Sequence, residues 1–100
     1  METMKKESKQ PVISVIMPAY QAKQYIGQAI ASVQNQTCEQ AWELLVIDDC
    51  STDGTMEAVR AYAADPRIRY VRQRKNRGVA AARNLGIRLA RGVYVAFLDA

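Results

Sequence analysis

Four short apolar runs, separated by three segments of helical spacing, constrain this chain more than any other feature. The runs 12–17, 42–47, 68–71 and 93–98 are rich in Val, Ile, Leu and aromatic residues and read as strands. The first is almost uninterrupted and β-branched, which suits a strand buried on both faces, and Pro18 is expected to stop it. Between the runs lie Tyr25, Ile26, Ala29, Ile30 and Val33, then Met56, Val59, Tyr62 and Ala63, then Val79, Ala82, Leu85, Gly86 and Leu89. Each set marks one inward face of a helix. Ser51 or Thr52 is expected to cap the second helix, with Asp53 in its first turn and Asp65-Pro66 ending it. Gly92 is expected to stop the third. The order βαβαβαβ predicts an α/β fold, a mostly parallel Rossmann-like sheet with helices on both faces.

The chain has 100 residues, one small domain or part of a larger one, and 49% hydrophobic residues are enough for a core. The net charge of +4 is unevenly spread: from Arg60 to Arg91 the bases are dense and Asp65 is the only acid. Such a stretch is either solvated or attracts anions, whether a phosphate-bearing small molecule, an acidic membrane face or nucleic acid. Its aromatic residues, Tyr62 and Tyr70, fall at core-like positions, which argues against nucleic acid. Histidine is absent, and Cys38 and Cys50 have no metal-binding or redox spacing, so zinc is excluded and both read as reduced thiols. Residues 1–10 read as a disordered leader without a secretory signal, and no apolar run approaches the roughly 20 residues of a membrane span. The expected location is the cytoplasm, with peripheral attachment to the inner face of the membrane.

In an open parallel sheet, ligands bind beyond the carboxyl ends of the strands. The residues delivered there are Pro18-Ala19-Tyr20, Asp48-Asp49 and Asp99. Neither G-x-G-x-x-G nor G-x-x-x-x-G-K-[ST] occurs, so a nucleotide would be held in another way. Asp49 offers an acceptor to a pyrimidine ring N–H, and Tyr20 a face or edge to the base. Asp99 offers oxygens to ribose hydroxyls or to a hard cation. Each has a plainer reading as turn, cap or packing residue; their convergence on one rim favours a site.

Four blocks then resemble one family. They are Val15-Ile16-Met17-Pro18-Ala19-Tyr20, Val46-Ile47-Asp48-Asp49-Cys50-Ser51-Thr52-Asp53-Gly54-Thr55, Asn76-Arg77-Gly78-Val79-Ala80-Ala81-Ala82-Arg83-Asn84-Leu85-Gly86 and Phe97-Leu98-Asp99-Ala100. In this order they resemble family-two glycosyltransferases of the GT-A fold. The resemblance implies that Pro18, Ala19 and Tyr20 line the nucleobase pocket and that Asp49 binds the uracil N–H. It also implies that Asn76 and Arg83 face the nucleotide, that Asp48 is structural, and that Asp99 begins the D-x-D motif near ribose and metal. Gln21 stands where the family commonly has Asn, and Cys50 where Gly or Asn is frequent; little consequence is expected of either. Residues 11–100 would be the N-terminal nucleotide-binding part of the domain, truncated before the final carboxylate of the motif and before the catalytic base. The whole enzyme would transfer a sugar from a nucleotide-diphosphate sugar, a UDP-sugar, to an acceptor hydroxyl with inversion, using Mg²⁺ or Mn²⁺. The acceptor would be a carbohydrate or lipid-linked glycan of polysaccharide biosynthesis. The fragment alone would be inactive and, with strand four and apolar helix faces uncovered, would form a homodimer. The alternative is a receiver-like α/β regulatory module, whose acidic pair would normally follow the first strand.

Overall fold

The computed structural model describes residues 11–36 and 40–99; the leader 1–10, Cys38 and Ala100 lie outside the described residues. The chain runs β1 (Ile13–Ala19), α1 (Ile26–Gln34), β2 (Trp42–Asp48), α2 (Thr55–Arg60), β3 (Ile68–Arg72), α3 (Val79–Leu89) and β4 (Tyr94–Phe97). The strands form one all-parallel sheet in the order β3-β2-β1-β4. The expected α/β order and parallel sheet are therefore the observed ones.

Alternation along β1 and β2 divides the core between the two faces. Met17, Leu44 and Val46 join Ile26, Ile30 and Val33 of α1 and Val59 of α2 on one face. Ile16, Leu45 and Ile47 meet Ala82 of α3 on the other, with Leu85 and Leu89 packed against them. Burial of each large side chain is worth roughly 1.5–3 kcal/mol. Gly86 lets α3 lie close to β1, because a Cβ at this position would collide with Ile16.

Several local expectations are corrected. Pro18 does not stop β1; it lies inside the strand, opposite Ile47. Val12 and Ile16 offer their carbonyls to Tyr94 and Leu98 on the β4 side, while Ala19 offers its carbonyl to Asp49 on the β2 side. Even-numbered residues of β1 thus face β4, and the N–H that proline lacks would point past the end of β4, where the ladder tolerates it. α2 ends at Arg60, so Ala63 is exposed rather than inward. Its N-cap is Gly54; neither Ser51 nor Thr52 caps it, and Asp53 Oδ1 instead accepts the Thr55 amide and hydroxyl. α3 ends at Leu89, and its C-cap Ala90 is already extended, so Gly92 is not its stop. Val79, expected in the core, is 51% exposed, and β4 is shorter than the run 93–98 and exposed at every residue. The uncovered Tyr94, Val95, Phe97 and Leu98 are the surface on which the expected self-association rests.

One buried cluster was not anticipated. Glu43, 4% exposed, accepts hydrogen bonds from the Ser14 hydroxyl (2.6 Å), the Arg91 amide (2.8 Å) and the Arg69 guanidinium (3.0 Å). The signal was present in the sequence: a glutamate inside an apolar run is a charge that must find partners. Burial pushes the Glu43 carboxyl up, but these donors together outweigh it and hold the pKa below the ordinary 4.5. A group whose folded-state pKa is depressed stabilises the fold above its unfolded pKa and loses that contribution as pH falls through the folded value. Urea midpoints should therefore stay nearly level from about pH 7 to about pH 5 and decline below that, with a shallower decline in Glu43→Gln.

Candidate functional site

The sheet order reverses beside β1: the chain moves outward through β2 and β3, then returns to place β4 on the other edge of β1. The crevice beyond the carboxyl ends of the strands at such a point is the usual ligand position. Here it is an open cleft of about 190 Å³ lined by Pro18, Ala19, Tyr20, Asp49, Val79, Ala82 and Asp99. Five of the residues expected from sequence converge there. Asn76 and Arg83 do not line it, and Val79 and Ala82, read as helix core, do.

Asp49 is 4% exposed and is the organising group of the cleft. Its Oδ1 accepts the Arg77 amide at 2.8 Å and the Gln73 side-chain amide at 2.9 Å. Its Oδ2 accepts the Gly78 amide at 2.8 Å. A carboxylate oxygen accepts about two hydrogen bonds, so Oδ2 keeps one further position for a donor. The clamping role was missed from sequence, because Gln73, Arg77 and Gly78 lie more than twenty residues away.

Asp48 points elsewhere. It is fully buried and accepts the Ser51 amide at 2.9 Å and the Tyr70 hydroxyl. Burial first, and the bond to Asp48 second, raise the Tyr70 phenol above its usual range. The acidic pair is thus split between two tasks, which weighs against a receiver-like site built on paired carboxylates.

The loops after β1 and β2 hold each other. Ser51 Oγ accepts the Gln21 amide at 2.8 Å, Gln21 Oε1 accepts the Thr52 amide at 2.7 Å, and Thr55 Oγ1 accepts the Ala22 amide at 3.0 Å. Gln21 (φ 51°) and Cys50 (φ 67°) are the only non-glycine residues with positive φ among the described residues. They are also the two internal positions at which the sequence is expected to depart from the pattern of the family it resembles. Left-handed backbone favours Gly, which has no Cβ to meet the penalty of about 1–2 kcal/mol, and Asn, whose short side chain offsets it by hydrogen-bonding locally. Gln21 offsets this with its side-chain bonds to Thr52, whereas Cys50 has one long contact, to the Arg74 carbonyl at 3.4 Å. Cys50→Gly is expected to stabilise the fold by about 0.5–1 kcal/mol, read as a rise of a few degrees in thermal midpoint.

Asp99 is largely exposed, and Arg83 reaches it at 3.3 Å while lying 5.8 Å from the Phe97 ring centroid. An ion pair this exposed adds little stability. Asn76 is exposed on the loop before α3. Asp99 is a single hard oxygen donor, and among the described residues no group of three His, Cys, Asp or Glu side chains is placed to hold a metal ion. The described residues therefore do not by themselves fit Mg²⁺ or Mn²⁺.

The basic stretch separates into two groups. Arg67 pairs with Asp65 and lies 4.0 Å from the Trp42 ring centroid, Arg69 serves Glu43 and the Leu89 carbonyl, and Arg72 donates to the Ser51 carbonyl. Arg74, Lys75 and Arg77 project from the rim as exposed cations. Tyr62 and Tyr70 are partly buried, with their hydroxyls on the Gly27 carbonyl and Asp48, and form no stacking surface.

These features define an open parallel α/β domain with a crevice at its topological switch point. The profile of glycosyl transferase family 2 matches residues 14–100. TuaG of Bacillus subtilis (strain 168), which carries the name of a teichuronic acid biosynthesis glycosyltransferase, is 46% identical over 90 residues, 89% of this chain and 35% of TuaG. The crystal structure of S. aureus TarS 1–349 with UDP-GlcNAc superposes with TM-score 0.81 and 33% identity, over 88% of this chain and 26% of that one. The mannosyltransferase PcManGT of Pyrobaculum calidifontis, with GDP-Man and Mn²⁺, gives TM-score 0.82 and 33% identity over 90% of this chain and 27% of that one. The chain belongs to glycosyl transferase family 2, and its fold is that of the GT-A glycosyltransferases. It spans about a third of the length of TuaG.

Proposed function

We propose that this chain forms the donor-nucleotide site of a glycosyltransferase that moves a sugar from a UDP-sugar to an acceptor hydroxyl in cell-envelope polysaccharide assembly. The observation that carries this reading is the buried Asp49 carboxylate at the cleft, with one acceptor position open on Oδ2. An acceptor-only group favours a base that presents a ring N–H, which uracil and guanine do and cytosine and adenine do not. The neighbours bound to UDP-GlcNAc and to GDP-Man carry bases of that kind. Pro18 and Ala19 form the wall against which the base would lie, and the half-exposed Tyr20 offers it a ring face or edge. Arg83 and Asn76 would meet the diphosphate or ribose after a shift of side chain, and Asp99 would meet ribose. A divalent cation, such as the Mn²⁺ of the mannosyltransferase neighbour, would need ligands in addition to Asp99. Inversion at the anomeric carbon is the outcome the family resemblance implies.

Among the described residues, the two cleft carboxylates are Asp49, which is tied to the 73–78 loop and assigned to the nucleobase, and Asp99, which lies beside Arg83 and is assigned to ribose, so neither is the general base that deprotonates an acceptor in this reading. Residues 1–100 are therefore expected to bind UDP weakly, with little response to Mn²⁺, and to transfer no sugar. In calorimetric titrations CDP should bind about tenfold or more weakly than UDP, and Asp49→Asn should abolish that preference. Equal affinity for UDP and CDP would remove the base-reading role of Asp49, and sugar transfer by these residues alone would overturn the division of labour.

No helix among the described residues is long and apolar enough to cross a membrane. Arg74, Lys75 and Arg77 instead support peripheral contact with an acidic membrane face from the cytoplasmic side. Co-sedimentation with vesicles containing acidic lipid should fall when all three are replaced by Gln; unchanged or absent binding would count against this placement.

A further inference from the structure

β4 carries Asp99 to the cleft, yet among the described residues no buried apolar side chain fixes where β4 sits. All four of its residues are exposed, and neither hydrophobic cluster contains a residue of β4. A sheet strand normally owes its register to a buried face. A slip of one residue would turn every side chain of β4 to the opposite face, and a slip of two would move Asp99 by about 6.6 Å along the strand.

What holds the start of β4 is polar. Glu43 accepts the Arg91 amide at 2.8 Å, and Ser14 Oγ accepts the Gly92 amide at 2.8 Å while donating to Glu43 at 2.6 Å. Two successive amides ahead of β4 are therefore pinned to two side chains of β1 and β2 that are opposite each other in the register. Glu43 is itself braced by Arg69, whose guanidinium also bonds the Leu89 carbonyl at the end of α3. Gly92 completes the fit: a Cβ there would stand 2.7 Å from the Ser14 backbone nitrogen and 2.8 Å from its Oγ.

We infer that Glu43, acting with Ser14, is a positioning residue that sets the register of β4 on β1 and thereby places Asp99 at the cleft. Ser14 and Glu43 form a two-point clamp at one end of the strand, and the carboxylate of Asp99 is delivered at the other. The two amides are addressed individually, so the clamp accepts one register and rejects its neighbours, which a free apolar strand would not do.

Hydrogen exchange tests this in the intact protein. The Tyr94 and Leu98 amides, bonded to Val12 and Ile16, report on β4, and the Asp49 amide, bonded to Ala19, is the internal reference on the other side of β1. In Glu43→Leu, exchange at Tyr94 and Leu98 should rise about tenfold or more relative to Asp49. Glu43→Gln keeps a carbonyl acceptor for the Arg91 amide and should restore most of the protection. Gly92→Ala, which leaves Glu43 in place, should loosen the same two amides and serves as the test if Glu43→Leu does not fold. The backbone readout is independent of what the cleft binds. An equal rise at Asp49, unchanged protection of β4 in Gly92→Ala, or a Gln variant no better than Leu would each overturn the assignment.

Discussion

Asp49 joins the end of β2 to the start of α3 through two backbone amides and one side-chain amide, and the walls of the cleft follow from that joint. Charge-assisted bonds from backbone N–H groups to a carboxylate are among the stronger hydrogen bonds a protein makes, and here they lie in a largely water-free position. Val79 and Ala82 of α3 and Pro18 and Ala19 of β1 line the same cleft. The Asp49 bonds add to the Gln73 amide's bond to the Asp48 carbonyl and the Cys50 contact with the Arg74 carbonyl, and they extend the hold on the 73–78 loop to its far end. One carboxylate thus serves both as part of the framework and as the face offered to a ligand.

A second layer of polar bonds ties the remaining loops. Ser51, Thr52, Asp53 and Thr55 each hold a backbone or side-chain group of the segment 21–23. These are short side chains that bond local backbone readily, which is why they dominate turns. Here they act between loops about thirty residues apart, and so they hold the rim of the cleft where turn chemistry alone would only bend the chain.

The fold was legible because apolar periodicity and length are local properties: the runs ending at Met17, Ile47 and Val71 became β1, β2 and β3 with small changes at their ends. Five cleft residues were legible because chain order alone places strand ends on one rim. The misses have a common cause in contacts between distant residues. Whether Pro18 could stay within β1 depended on where β4 ended. Ser51 lies ahead of the α2 cap at Gly54 and instead accepts the Gln21 amide, and Gly92 lies beyond the end of α3 and instead bonds Ser14. The arginines looked alike in sequence, and only Asp65, Glu43, Ser51 and Asp99 distinguish those that brace the fold or pair at the rim from those that face solvent.

Pro18 has a further consequence for the shape of the crevice. Leu98 donates to the Ile16 carbonyl, and the next rung of the ladder would run from the nitrogen of residue 18 to the Leu98 carbonyl. Proline has no hydrogen to give, so the β1–β4 seam stops zipping at that rung. Beyond it the two strands are free to diverge, and Asp99 can leave the plane of the sheet. One missing hydrogen atom, written into the sequence, marks the rung at which two neighbouring strands stop pairing at the mouth of the crevice.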